Sequence, residues 1–362
     1  MGVRKMFRII VLVGFVSGAG YWAWRRFAGD TKTIVAPTTD QVLEMDRKNL
    51  NANTGVNEHQ IYAALVRLAQ AGDPSAVDEA LKRAHSPSEW VRSGVAEALG
   101  RSDRPEARRT LAELLLDPSE KVRVRSLHAL GMRESAENRQ MIERHLEQRP
   151  NVTPNERLEG HGSLIKQVPF AERKKHVESM VQIAQSLSGE EQLAAWLLIV
   201  SLAPREESVL NALDQISKKG APGSDDLTAL AIRHLGASAP ERVRTRLFGL
   251  HKDKRMKVRL AAVQSLSTAC PLERLDILSA VVEQEKESIV WRTAVQQAAL
   301  LPSEKTMSLM KTLQARQMPE DDKRYVNDAL RALESVKGSD PCRWRGPVTA
   351  APARKTSNSA AK

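Results

Sequence analysis

Residues 86–131 repeat themselves, and no other feature constrains the fold as strongly. Ser86-Pro87-Ser88-Glu89 lies 31 positions before Asp117-Pro118-Ser119-Glu120. The same shift carries Val91-Arg92 onto Val122-Arg123, and Ala98-Leu99-Gly100 onto Ala129-Leu130-Gly131. One period earlier, Leu68 corresponds to Leu99 and Ala76 to Ala107. A fixed period of roughly 20–50 residues marks a stacked repeat, because a unit that short cannot bury its apolar face alone.

Each unit reads as two helices. Ser86 or Asp117 is placed as an N-cap, with Pro87 or Pro118 at the first helical position and Glu89 or Glu120 completing a capping box. Val91, Val95, Ala98 and Leu99 follow at helical spacing. Gly100 and Gly131 are expected to end these helices as left-handed residues. Residues 105–116 supply the second helix, with Ala107, Leu111, Leu114 and Leu115 as its apolar stripe.

The run from Val91 to Gly131 resembles the short HEAT-like repeats of the phycobilisome-lyase type. The resemblance is strongest over residues 58–149 and returns in fragments to about residue 336. It implies an all-α fold, a right-handed α-solenoid of stacked antiparallel helix pairs. Repeats of this kind occur in bilin lyases, in relatives of DNA glycosylases and in plain scaffolds, so the resemblance implies an architecture and no reaction.

Aromatic residues make up 4% of the chain, so the core is expected to consist of Leu, Ala and Val. Residues 1–30 are set apart. The apolar stretch 9–24 lies between Arg4, Lys5 and Arg8 on one side and Arg25-Arg26 on the other. Sixteen helical residues span about 24 Å, near the ~30 Å of a bilayer core, and Tyr21, Trp22 and Trp24 suit an interface. A single N-terminal transmembrane helix is expected in preference to a signal helix cleaved near Ser17-Gly18-Ala19. The array is then expected on the periplasmic or other extracytoplasmic side.

Residues 31–57 read as a linker with one short helix, and 58–149 as regular repeats. Residues 150–169 read as an insertion, in which the capping box Thr153-Pro154-Asn155-Glu156 opens a short helix that ends before Gly160-His161-Gly162, and 170–337 as less regular repeats. Residues 338–362 read as a disordered basic tail. Register is lost in the middle: Val122 and Val258 are 136 positions apart, which is no multiple of 31.

Candidate chemistry reduces to structure almost everywhere. The acid pairs Glu190-Glu191, Glu206-Glu207, Asp225-Asp226 and Asp321-Asp322 fall at helix starts, where the macrodipole favours carboxylates. The histidines show no metal-ligand spacing. His161, between two glycines, is the one in an unusual setting. Arg92, Arg123 and Arg259 share one repeat position and are expected to pair with acids of the neighbouring turn and hold the stack. Trp90 and Trp291 are expected at contacts between units.

Arg242, Arg244, Arg246, Lys252, Lys254, Arg255 and Lys257 form a basic stretch, the candidate site for an anionic partner. The chain's formal charge of +11 agrees with such a partner without specifying it. No catalytic, cofactor or metal residues are assigned. The expected function is a membrane-tethered, non-catalytic scaffold that binds another protein. The alternatives are a nucleic-acid binder resembling the glycosylase relatives and an enzyme resembling the bilin lyases.

Overall fold

The computed structural model describes residues 38–51, 56–221, 224–266 and 271–335. Among them are 18 α-helices and no strand. The helices form two rows. The first consists of α2 (Glu58–Gln70), α4 (Glu89–Leu99), α6 (Glu120–Leu130), α8 (Pro154–Gln167), α10 (Gly189–Leu202), α12 (Asp225–Ser238), α14 (Met256–Ser265), α16 (Ser288–Ala299) and α18 (Glu320–Ser335). Each touches the next along the row.

The second row consists of α1 (Thr39–Asn51), α3 (Ser75–Lys82), α5 (Pro105–Leu114), α7 (Ala136–Gln148), α9 (Phe170–Ser186), α11 (Glu207–Lys219), α13 (Pro240–Leu250), α15 (Pro271–Gln284) and α17 (Glu304–Gln314). Its members pack onto the even row and less closely on one another. The result is an α-solenoid.

The core is thin and built of Leu, Ala and Val, as the low aromatic content requires. It falls into two clusters that meet at α8: Leu164 belongs to the first, Leu158 and Ile165 to the second. Trp196 is the largest of the fully buried side chains.

Helix starts differ from the expected ones by two residues. Ser88 and Ser119 are the N-caps, and Ser88 accepts from Val91 N at 3.4 Å. Asp117 instead accepts from Ser119 N at 2.8 Å and carries an inter-unit ion pair. Glu89 and Glu120 therefore open their helices rather than close a capping box. They accept from the next unit: Ser119 Oγ to Glu89 and Thr153 Oγ1 to Glu120, both at 2.7 Å.

The glycines also differ from expectation. Gly100 and Gly131 have φ of −60° and −76°, so neither is left-handed. They are notches. A Cβ on Gly100 would lie 2.8 Å from Ala129 Cα, and one on Gly131 would lie 2.3 Å from Ser163 Oγ. Gly236 faces Ser265 in the same way, at 2.6 Å. The Ser163 hydroxyl donates to Leu127 O at 3.0 Å, and that of Ser265 to Ile232 O at 3.3 Å. Each carbonyl lies four residues before the notch glycine.

Two segments read as outside the array belong to it. α1, expected within a linker, docks on α2 through buried Leu50 and a bidentate Arg67–Asp46 pair at 2.7 and 2.6 Å. α8 passes through Gly160-His161-Gly162 without a break. Its start is the expected capping box, with Thr153 Oγ1 accepting from Glu156 N and Glu156 accepting from Thr153 N. Four even-row steps, α6 to α14, occupy the 136 residues between Val122 and Val258. The mean unit there is 136/4 = 34 residues, which explains the lost 31-residue register.

The membrane-anchored, extracytoplasmic placement is corrected. Among the described residues no helix is long and apolar enough to cross a membrane. The stretch 9–24, on which that expectation stood, lies outside the described residues, as does the tail 338–362.

Gly131→Ala is expected to destabilise the chain by about 1–3 kcal/mol through overpacking against Ser163. In urea melts, a double-mutant cycle with Ser163→Gly should show coupling of about 1 kcal/mol. Additive effects would mean that the notch is not what requires the glycine.

Candidate functional site

The most repetitive chemistry is a ladder of arginines. Arg92 sits four residues after its N-cap and donates Nη1 to Ser86 O and Pro87 O at 2.8 and 3.0 Å. Its Nε and Nη2 grip Asp117 of the next unit at 2.7 and 2.9 Å. Arg123 repeats this with Asp117 O, Pro118 O and the Glu156 carboxylate. Arg259 does so with Asp253 O, Lys254 O and Glu285, the last at 2.7 and 3.0 Å. One guanidinium thus closes its own loop and holds the neighbouring unit, using the fork geometry that only Arg has.

Glu156 is the most deeply placed acceptor, fully buried at the start of α8. It also accepts from buried His145 Nε2 at 3.0 Å. Burial pushes its carboxyl up, but the Arg123 and Thr153 hydrogen bonds prevail and hold it down at about 2. The capping box was visible in the sequence. The convergence of Arg123 and His145 on it was not, because those partners lie 33 and 11 residues away.

His161 on α8 faces His176 on α9, Nδ1 to Nδ1 at 3.1 Å, so one imidazole donates to the other. Burial, then the neighbouring His176, pushes His161 down to about 4. Burial also lowers His176. This is a neutral hydrogen-bonded pair between α8 and α9. Among the described residues no group of three or more His, Cys, Asp or Glu side chains is arranged to hold a metal ion.

The basic stretch is dispersed and largely engaged. Arg242 bonds Glu207 and Asn211, and Arg246 bonds Asp214 and Ser217. Arg255 bonds Asp253, with Asp225 at 3.8 Å, and Lys257 bonds Asp226 at 2.7 Å. Arg244, Lys252 and Lys254 are exposed. Thus the acid pairs at helix starts and the basic stretch, read separately in the sequence, are partly each other's partners.

The exposed side of the even row carries a run of contacts between units. Trp90, 39% exposed, meets the His59 ring at 4.6 Å and the Tyr62 ring at 6.3 Å, both on α2. Lys121 of α6 lies over it at 5.0 Å. His128 pairs with Glu159, and Arg125 with Glu97. Trp291 donates Nε1 to Val282 O at 3.0 Å and packs against the second core.

These features define a class, the helical-repeat proteins whose units are helix pairs. Residues 57–151 match the family model for HEAT repeats, so this part of the chain is an array of HEAT repeats. No curated protein matches it. Among solved structures, it is similar to the X-ray structure of Escherichia coli YibA, with 16% identity and a TM-score of 0.49. That likeness covers 79% of this chain and 99% of YibA.

Arg123→Ala should cost about 3–5 kcal/mol, because it strands Glu156 buried without its main partner. Equilibrium urea melts would measure this, and a loss under about 1 kcal/mol would remove the ladder from its central role.

The histidine pair gives a pH prediction. An unfolded histidine titrates near 6.5, whereas His161 titrates at about 4 when folded. The unfolded chain therefore binds more protons in that window, and stability falls as pH drops from about 6.5 towards 4. His145, His176 and His251 are lowered too and act with the same sign. His161→Asn should reduce the slope of stability between about pH 6.5 and 4.5, by at most about 3 kcal/mol in total. An unchanged slope would show that His161 does not titrate in the folded chain as described.

Proposed function

We propose that this protein is a non-catalytic scaffold that binds another protein along the even row of its solenoid. The observation that carries the reading is the asymmetry of the two rows. Even-row helices touch each successor from α2 to α18, while the odd row is more splayed. Helices at the smaller radius of a curved stack lie closer together. The even row is therefore read as the concave side of a right-handed stack, the surface that such arrays use for extended partners.

Two features of that side support a protein ligand. It presents aromatic and long polar side chains together, Tyr62, Trp90, Lys121 and Arg125, a composition suited to protein contacts. Its charges alternate in sign through pairs such as Lys121–Glu89 and Arg125–Glu97. A duplex-binding groove would instead keep its cations free for phosphate. Arg242, Arg246, Arg255 and Lys257 are held by acids, which weighs against the nucleic-acid alternative.

A photocrosslinking amino acid at Lys121 or Arg233, on the even row, is expected to give discrete adducts in cells. The same residue at Arg109 or Gln140, on the odd row, should give few. Adducts confined to the odd-row positions would overturn the assignment of the binding face.

A further inference from the structure

α10 does not suit the place it occupies. Its sequence from Leu193 to Leu202 is apolar on nearly every side, and a helix of that kind is normally covered all round. Here Ala195, Trp196 and Ile199 are buried, and Leu193, Leu198, Val200 and Leu202 are half-buried. Leu197 remains 50% exposed, with Ala194 and Ser201 exposed beside it. The contact of α10 with α8 and α12 is also thinner than that between other even-row neighbours.

A second, independent feature concerns charge. At four other helix starts an acid receives a cation from an adjacent unit: Glu89 from Lys121, Glu207 from Arg242, Asp226 from Lys257, Asp322 from Arg292. Glu190 and Glu191 open α10 and are exposed. At the corresponding place one unit on stand Asp225 and Asp226, two more acids. Among the described residues no cation forms an ion pair with Glu190 or Glu191.

We propose that the face formed by Glu190, Ala194, Leu197 and Ser201, with Glu191 beside it, receives a basic amphipathic helix from a partner protein. The spacing of these positions, 190, 194, 197 and 201, is that of one helical face. The partner's apolar stripe covers Leu197 and Ala194, and its Lys or Arg side chains supply the cation that the array lacks at Glu190 and Glu191. This is helix-in-groove recognition, with charge complementarity fixing the direction of the incoming helix. The proposal rests on the scaffold reading and specifies where on the even row the partner docks and what its chemistry is.

The test uses the full chain and a fluorescent synthetic helix of about 18 Leu, Ala and Lys residues, five turns long. Fluorescence anisotropy should show binding, weakened roughly ten-fold or more when the same residues are scrambled or when Glu replaces Lys. Leu197→Asp, and separately Glu190→Lys with Glu191→Lys, should each weaken binding by a similar factor with unchanged far-UV circular dichroism. Ile289→Asp, at an exposed apolar position on α16, should leave it unchanged. Absence of binding, or equal binding by the α10 variants, overturns the proposal. Binding that survives Leu197→Asp but is lost in Trp90→Ala would overturn the α10 assignment and leave the scaffold reading standing.

Discussion

The bidentate arginine rung is the interaction on which the regular part of the array depends. A solenoid makes no contacts between distant segments, so each unit must set the position of the next. Apolar packing is non-directional and leaves the offset between units poorly defined. The rung defines it. Arg92, Arg123 and Arg259 each bind two carbonyls of their own loop and both carboxylate oxygens of the following unit. Desolvation offsets much of the Coulombic gain of such a pair, so its main contribution is register rather than net stability.

The glycine notches complete the constraint at the other end of the helix. The rung lies four residues after the N-cap, and the notch lies at the C-terminus, where Gly100 admits Ala129 and Gly131 admits Ser163. Pinned at both ends, α4, α6 and α8 have little freedom to slide or tilt. Further along, both devices fail. The rung position holds Gln192 in α10, which donates to Ala184 O, and Thr228 in α12, which donates to Ser224 O. α10 ends in Ser201 and Leu202 rather than a glycine. Contact along the row thins at that point, and both devices return by α14, with Ser265 in the Gly236 notch and Arg259 on Glu285.

What the sequence disclosed follows the same division. The period, the helix pairs, the composition of the core and the shared arginine position were legible, because each is written locally and repeated. The N-cap was misplaced because Ser-Pro-Ser-Glu offers two caps. The choice is made by Arg92, 25 residues before the Asp117 that it engages. Gly131 was read as a turn residue because local pattern cannot distinguish a positive φ from a close approach. The reason for it is Ser163, on a helix not yet formed when the local pattern is read. Gly160-His161-Gly162 read as a break for the same cause: Gly160 lies against Leu146 and Gly162 against Leu202.

Specificity follows the same division. An array that satisfied every rung, notch and acid internally would present a neutralised surface with little left to bind. Most of the charged groups that stood out in the sequence are neutralised in this way, Asp226 by Lys257 and Glu207 by Arg242 among them. α10 departs from the pattern by packing, by register and by charge together. These departures coincide on one helix, although α12 also lacks the rung, and such a coincidence is difficult to attribute to drift in a structural element. Each leaves a valence open: an apolar side chain half in water, a loosened contact and two carboxylates without a cation. A bound basic helix closes all three at once.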